Sequence, residues 1–314
     1  MVLYICENIK EVPYMNDLFN NNIKPKNTEA LYYTILQIVT NLYNKVIDEK
    51  IKNRKNKEKS KMTDPEIISI YLLIECKGKS INSGYSILKS DFPNLVNYVE
   101  RSRFNRLINS LMTVIRAIRQ ELNKTNNSKY KIIDSFPLIN NKFGRAYFGK
   151  RLRDICSYGY CASKKEKYYG MKVHVITDLQ GEPIDYVLTK ANVDDRDVIF
   201  ELSNLVDIDI LFGDKGYIGN ISEELKKEKN INLYALKRGN SKNPLPKEFR
   251  NMISKLRRRI ETTFYQLNEC FNIERIRANS KIGLQTSLEI KFLCFNIISL
   301  IGGHTRICKT INFY

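Results

Sequence analysis

Between residues 29 and 48 apolar side chains recur at Leu31, Ile35, Ile38, Val39, Leu42, Val46 and Ile47, and steps of three and four predict an amphipathic helix. The pattern breaks in KIKNRKNKEKSK (50–61), where charge without periodicity predicts an exposed loop or flexible joint. Thr63-Asp64-Pro65-Glu66 then opens a second helix, with a capping side chain, a Pro at the first helical position and acids in the first turn. It runs through IISIYLLIEC and stops at Gly78. Helices around Ser80 to Leu88 and from about Arg103 to Leu122 complete a three-helix unit. Helix-turn-helix DNA readers and ordinary helical bundles share that pattern.

After the polar joint LNKTNNSKYK (122–131) the period changes. KIIDSFPL (131–138) reads as a short strand, and a basic loop bearing Gly and Tyr follows from Asn141 to Gly170. MKVHVITD (171–178) and PIDYVLTK (183–190), joined through Gln180-Gly181-Glu182, read as a β-hairpin. Asp194-Asp195-Arg196-Asp197 opens a helix carrying VIFELSNLV. IDILFGD (208–214) is an apolar strand ended by Gly216, SEELKKEK a short helix, INLYALKR (231–238) a strand and NSKNPLPK a loop. Ile253, Leu256, Ile260, Phe264, Leu267 and Phe271 mark a long helix, and a last one runs from Gly283 to Ile301. Strand, hairpin, helix, strand, helix, strand, helix predicts an α/β fold with a mixed central sheet covered by helices, of which the ribonuclease H-like arrangement is one form. The expected divisions are 1–125, 126–275 and 276–314.

Composition narrows the partners. The chain has 314 residues, with 52 Lys and Arg against 34 Asp and Glu, a formal net charge of +18. A field of that sign attracts polyanions, nucleic acid first and an anionic membrane surface second. Hydrophobic content of 43%, with 19 Tyr and 14 Phe, excludes wholesale disorder. The longest apolar stretch, near Phe292 to Gly303, is interrupted by Asn296 and falls short of the roughly 20 residues that span a bilayer. Glu7 and Glu11 stand where an export signal would be apolar. Seven scattered cysteines without a CxxC, and only two His, fit reduced cytosolic thiols and argue against structural zinc.

Three acids stand in unusual places. Asp134 lies inside a β-rich run, where an unpaired acid is costly. Asp214 ends an apolar strand, at the edge where α/β proteins set their sites. Glu261 lies beside the apolar stripe of the long helix, one turn from Arg257 and from Tyr265. Three carboxylates suit two-metal phosphoryl transfer, since Mg²⁺ prefers oxygen ligands and two ions about 4 Å apart serve both the attacking and the leaving oxygen. Each acid also has an ordinary reading: Asp134 as a turn or N-cap acid, Asp214 as the cap of the loop at Gly216, Glu261 as a surface ion pair with Arg257.

The segments IIDSFPL, GYCASKKEKYYGMKVHVITDLQGEPIDYVLTKANVDD, LFGDKGYIG and RRRIETTFYQL together resemble the DDE transposases of bacterial insertion sequences, closest to the insertion-sequence family numbered nine hundred and eighty-two. SRFNRLIN (102–109) and the helical N-terminal region add to the likeness, which covers nearly the whole chain. The resemblance implies a ribonuclease H-like catalytic domain at 126–275, with Asp134, Asp214 and Glu261 as catalytic residues and ligands of two Mg²⁺ ions, for which Mn²⁺ can substitute. It implies a helical N-terminal region, 1–125, that binds DNA ends, and a C-terminal helical segment, 276–314, packing on the core. It also implies cleavage at terminal inverted repeats and attack of the freed 3′-hydroxyl on target DNA. The partners would be double-stranded DNA, at element ends and target, and further copies of the chain on paired ends, in a bacterial cytoplasm. Arg257 matches the Arg that related enzymes carry four residues before the Glu, whereas Asn268 stands where they often have Lys. Lys172, His174, Lys215, Arg257, Arg258, Lys164 and Lys165 are candidate DNA contacts. Lys164, Lys165 and Lys167 are read in a basic loop with Tyr168 and Tyr169. A DNA-binding protein without catalysis, and a nuclease that cuts without joining, are the competing readings.

Overall fold

The computed structural model describes residues 27–302, apart from 125, 127, 218, 237–244 and the side chain of Lys215. Two compact units emerge. One holds residues 126–265 and 274–277, and the other holds 27–124, 266–273 and 278–302 of those described.

The helical unit begins with α1 (Thr28–Val46), whose Leu31, Tyr32, Ile35, Val39 and Tyr43 are buried as one face. The charge run is not the plain loop expected: it contains a one-turn helix α2 (Glu49–Lys52) and a 3₁₀ turn at Lys57–Lys59. Two of its cations are used inward. Arg54 donates to both carboxylate oxygens of Asp64 at 2.6 and 2.8 Å, and Lys57 Nζ lies 2.6 Å from Oδ2. Asp64 opens α3 (Asp64–Cys76), which begins with a complete capping box between Thr63 and Glu66. Next come α4 (Ile81–Asp91), α5 (Arg101–Ser110) and α6 (Met112–Asn123). The last two replace the single helix expected over 103–122, because the chain breaks at Leu111.

The last described helix, α10 (Lys281–Gly302), is grouped with these helices. It packs on α3 and α6. Its length and apolarity would suffice to cross a bilayer, yet most of it is buried inside the structure. Its two buried charged residues are paired: Glu289 with Arg116 and with the buried Arg119 at 2.7 Å, Lys291 with Glu75 at 2.7 Å.

The second unit carries the mixed sheet. Its strands are β1 (Tyr130–Lys142), β2 (Ser157–Cys161), β3 (Glu166–Thr177), β4 (Pro183–Lys190), β5 (Ile210–Gly213) and β6 (Asn232–Ala235). The order is β2-β3-β1-β5-β6, with β4 also on β3. β2 pairs the first half of β3 and β4 the second half, so both lie along one edge of β3. β1 is antiparallel to β3 and parallel to β5, and β5 is parallel to β6. The region read as one loop over 141–170 is thus partly sheet, and β1 is thirteen residues long rather than eight. The β3–β4 turn is fixed by Asp178, whose Oδ1 accepts from the backbone N–H groups of Gln180 and Glu182, both at 2.8 Å. Gly181 takes φ +97° there, and a Cβ would meet Thr263 Oγ1 at 2.7 Å.

Period-2 alternation divides the sheet into two faces. Ile132, Ile210 and Phe212 pack under Phe249, Ile253, Leu256 and Ile260 of α9 (Lys247–Phe271). Ile133, Leu211 and Leu233 face the other way, toward α7 (Ile199–Ser203) and α8 (Ile221–Lys229).

Candidate active site

The two faces determine where the acids go. Asp134 shares the parity of Ile132, and Asp214 that of Ile210 and Phe212, so both belong to the α9 face. The parallel register pairs Tyr130 with Ile210 and Ile132 with Phe212; continued by two residues, it sets Asp134 beside Asp214. On α9, Ile260 is buried in that face and Glu261 follows it at the exposed border, with Arg257 one turn earlier.

All three carboxylates converge on one guanidinium. Arg257 lies 3.2 Å from Asp214 Oδ1, 3.0 Å from Glu261 Oε1 and 4.0 Å from Asp134 Oδ2. Asp134 also accepts from the N–H of Ser135 at 2.8 Å. Exposure rises from 19% for Asp134 through 38% for Asp214 to 52% for Glu261, so the cleft is open to water on the helix side. Burial pushes the Asp134 carboxyl up to about 7; the Ser135 N–H and Arg257 pull it back, and Asp214 and Asp195 add to the rise.

The donor set fits a hard divalent cation: three carboxylates around a common cation and no sulfur. Among the described residues no three acid, His or Cys side chains gather as an ion-binding group as they stand. The guanidinium occupies the middle of the trio instead.

A second polar group lies on the opposite face. Ser135 pairs with His174 in the β1–β3 register, and both face away from Asp134. Asp195 Oδ1 accepts from Lys172 Nζ at 3.0 Å and Ser135 Oγ at 3.3 Å, and lies 3.5 Å from His174 Nδ1. Thr189 Oγ1 is 2.9 Å from His174 Nε2. His174 is fully buried, and burial lowers its pKa to about 4 against the opposing pull of Asp195. The DNA contact expected of His174 therefore has no surface through which to form, and Lys172 is spent on Asp195 and the Val193 carbonyl.

Two residues here escaped the sequence reading. In the sequence Asp195 is one acid of the helix-opening run Asp194-Asp195-Arg196-Asp197, at the end of the KANVDD segment that carries the resemblance. Tyr217, in GDKGY, is buried and its hydroxyl has no hydrogen-bond partner among the described residues; burial together with four nearby Asp carboxylates raises its pKa well above the usual value. Gly213 makes room for it: a Cβ would stand 2.9 Å from the Tyr217 ring.

The other basic candidates scatter. Arg258 is exposed on α9 and bonds weakly to the Ser254 carbonyl at 3.4 Å. Lys164 is ion-paired with Glu274, and Lys165 is exposed at a left-handed turn position. The Lys215 side chain lies outside the described residues. Tyr168 and Tyr169, read as loop aromatics, are buried in β3.

The model of the transposase DDE domain matches residues 132–297, more than half the chain, spanning Asp134, Asp214 and Glu261. No curated protein and no solved structure gives a significant match. A mixed sheet that collects two strand-borne Asp and a helix-borne Glu, under a family model running through all three, leads to one statement of kinship: the chain belongs to the transposase DDE-domain family.

Proposed function

We propose that this protein is the DNA transposase of an insertion sequence, of the family numbered nine hundred and eighty-two. Its sheet unit is a ribonuclease H-like catalytic core that cuts at terminal inverted repeats and transfers the freed strand into target DNA. The observation that carries this is the convergence of Asp134, Asp214 and Glu261 on one cation position. The sheet order β4-β3-β1-β5-β6, antiparallel on one side of β1 and parallel on the other, supports the ribonuclease H-like reading.

In this reading the three carboxylates hold two Mg²⁺ ions, or Mn²⁺ in their place. When bound, the ions activate the attacking water or 3′-hydroxyl and stabilise the leaving oxygen. The chain's own part is positional. β1 and β5 pair in parallel just before the two acids, which brings Asp134 and Asp214 to neighbouring positions beyond the ladder. Glu261 is fixed by a helix whose Ile253, Leu256 and Ile260 are buried against the same sheet. The graded exposure supports entry of a DNA backbone from the Glu261 side. With ions held by the three carboxylates, Arg257 would be available to a phosphate oxygen. Residues 1–125 recognise the element ends, the protein acts as a dimer or higher multimer on paired double-stranded ends, and it works in the cytoplasm.

A labelled DNA end bearing its inverted repeat, incubated with the full chain and Mg²⁺, tests the proposal. Expected are strand nicking and transfer into target DNA, both lost in Asp134→Ala, Asp214→Ala and Glu261→Ala and in EDTA. Full activity in any one variant removes that residue from the site. Cutting without joining would make the protein a nuclease, and binding without cutting a DNA-binding protein.

A further inference from the structure

The segment from Asn141 to Gly170 joins two features that usually occur apart. It carries eight basic residues, Lys142, Arg145, Lys150, Arg151, Arg153, Lys164, Lys165 and Lys167, against Asp154 and Glu166. It also exposes large aromatic rings: Phe143 at 47%, Tyr158 at 53% and Tyr160 at 59%, with Tyr147 and Phe148 beyond 75%. Solvent-exposed rings in that number are not explained by packing.

The rings form an ordered surface. Tyr158 and Tyr160 are two residues apart on β2 and therefore share a face. Their register partners on β3 are Tyr169 and Lys167. Tyr158 meets the Phe143 ring edge-on at 5.3 Å and the buried ring of its cross-strand partner Tyr169 at 5.1 Å. Lys167 Nζ stands 5.8 Å from the Phe143 ring centroid. Between them is a groove of about 510 Å³ lined by Phe143, Tyr158, Gly159, Tyr160 and Lys167. Alternation along β3 carries the face of Lys167 and Tyr169 on to Val175, the register partner of Asp134. The groove is therefore on the same face of the sheet as the three carboxylates, and eight residues of strand put it roughly 25 Å away.

We propose that this groove binds unpaired nucleotides of DNA, with bases stacked on Tyr158, Tyr160 and Phe143 and the backbone held by Lys167 and the neighbouring cations. Every base has a π-face and every nucleotide a phosphate, so rings interleaved with lysines recognise single-stranded DNA without regard to sequence. A duplex hides its bases and offers such rings nothing to stack on. The proposal rests on the transposase reading for the source of the DNA, and it adds that a stretch several nucleotides from the reacting bond is held as single strand.

The test uses the full chain and three DNAs of equal length: a blunt duplex, a duplex with a single-stranded extension, and a single-stranded oligonucleotide. 2-Aminopurine placed in the unpaired stretch reports stacking. Expected is quenching of 2-aminopurine, and tighter binding of both DNAs with unpaired bases than of the blunt duplex. In Tyr158→Ala/Tyr160→Ala, quenching and preference disappear, with affinity for unpaired DNA falling about fivefold or more for each lost stack. Duplex affinity stays within about twofold. Tyr158→Trp/Tyr160→Trp retains both, which separates stacking from misfolding. Unchanged binding in the Ala variant overturns the proposal, as does loss of self-association without any change in DNA binding. Quenching in a protein that never cuts DNA would leave the groove intact and remove the transposase reading instead.

Discussion

Arg257 is the residue on which the cleft turns. It holds three carboxylates with one positive charge, and that arrangement is stable only while nothing of higher charge competes. In Arg257→Gln the three carboxylates lose the guanidinium they share. The variant should lose about 1 kcal/mol of stability in EDTA, a modest figure because Glu261 and Asp214 are partly solvated. Millimolar Mg²⁺ should then raise its melting temperature more than that of the wild type, since no guanidinium has to leave. Equal Mg²⁺ responses in thermal melts would show that arginine and ion do not compete for these oxygens. Much of this was legible beforehand: acids inside apolar runs are conspicuous, and Arg257 lies one turn from Glu261. The fate of His174 was not, because alternation shows that Lys172 and His174 share a face without saying which. A ring in a run of β-branched neighbours reads the same whether it faces DNA or Asp195.

At the scale of elements, the charge run 50–61 shows what a polarity pattern can hide. Its residues look solvated, yet Arg54 and Lys57 reach Asp64, which is 1% exposed and also accepts from the Tyr43 hydroxyl at 2.9 Å. Burial alone would raise the Asp64 pKa, but hydrogen bonds from Arg54, Lys57 and Tyr43 carry it below the ordinary value. Asp64→Ala leaves two inward cations and a buried hydroxyl without their acceptor. A loss of about 3–5 kcal/mol is expected in urea denaturation, with a smaller loss for Lys57→Ala because Arg54 remains. A loss under about 1 kcal/mol would mean that the run is the solvated joint its sequence resembles. Helix existence and strand alternation were readable here because each is local. The break at Leu111, the extra length of β1 and the partners of α10 were not: periodicity shows that a face is buried, while what buries it depends on residues more than a hundred positions away.

For the whole molecule, the charge of +18 was visible in the composition, but its distribution depends on the fold. Some cations are internal counter-ions, as Arg119, Lys172 and Lys291 are, and they contribute nothing to a DNA surface. Others, along 142–167 and on α9, remain outside. If about six of these neutralise phosphates, DNA affinity should fall roughly a thousandfold between 50 and 200 mM salt, through release of condensed counter-ions. Titrations of a blunt duplex at four or more salt concentrations measure that slope, and a flat response would show that the excess charge serves only solubility. Stacking behaves differently, because a base placed on a tyrosine releases no ion. The ratio of wild-type to Tyr158→Ala/Tyr160→Ala affinity for single-stranded DNA should therefore stay nearly constant while both affinities fall with salt. A ratio that collapsed toward one at high salt would mean that the two substitutions had disturbed the cations around the rings, and that the groove holds its ligand by charge alone.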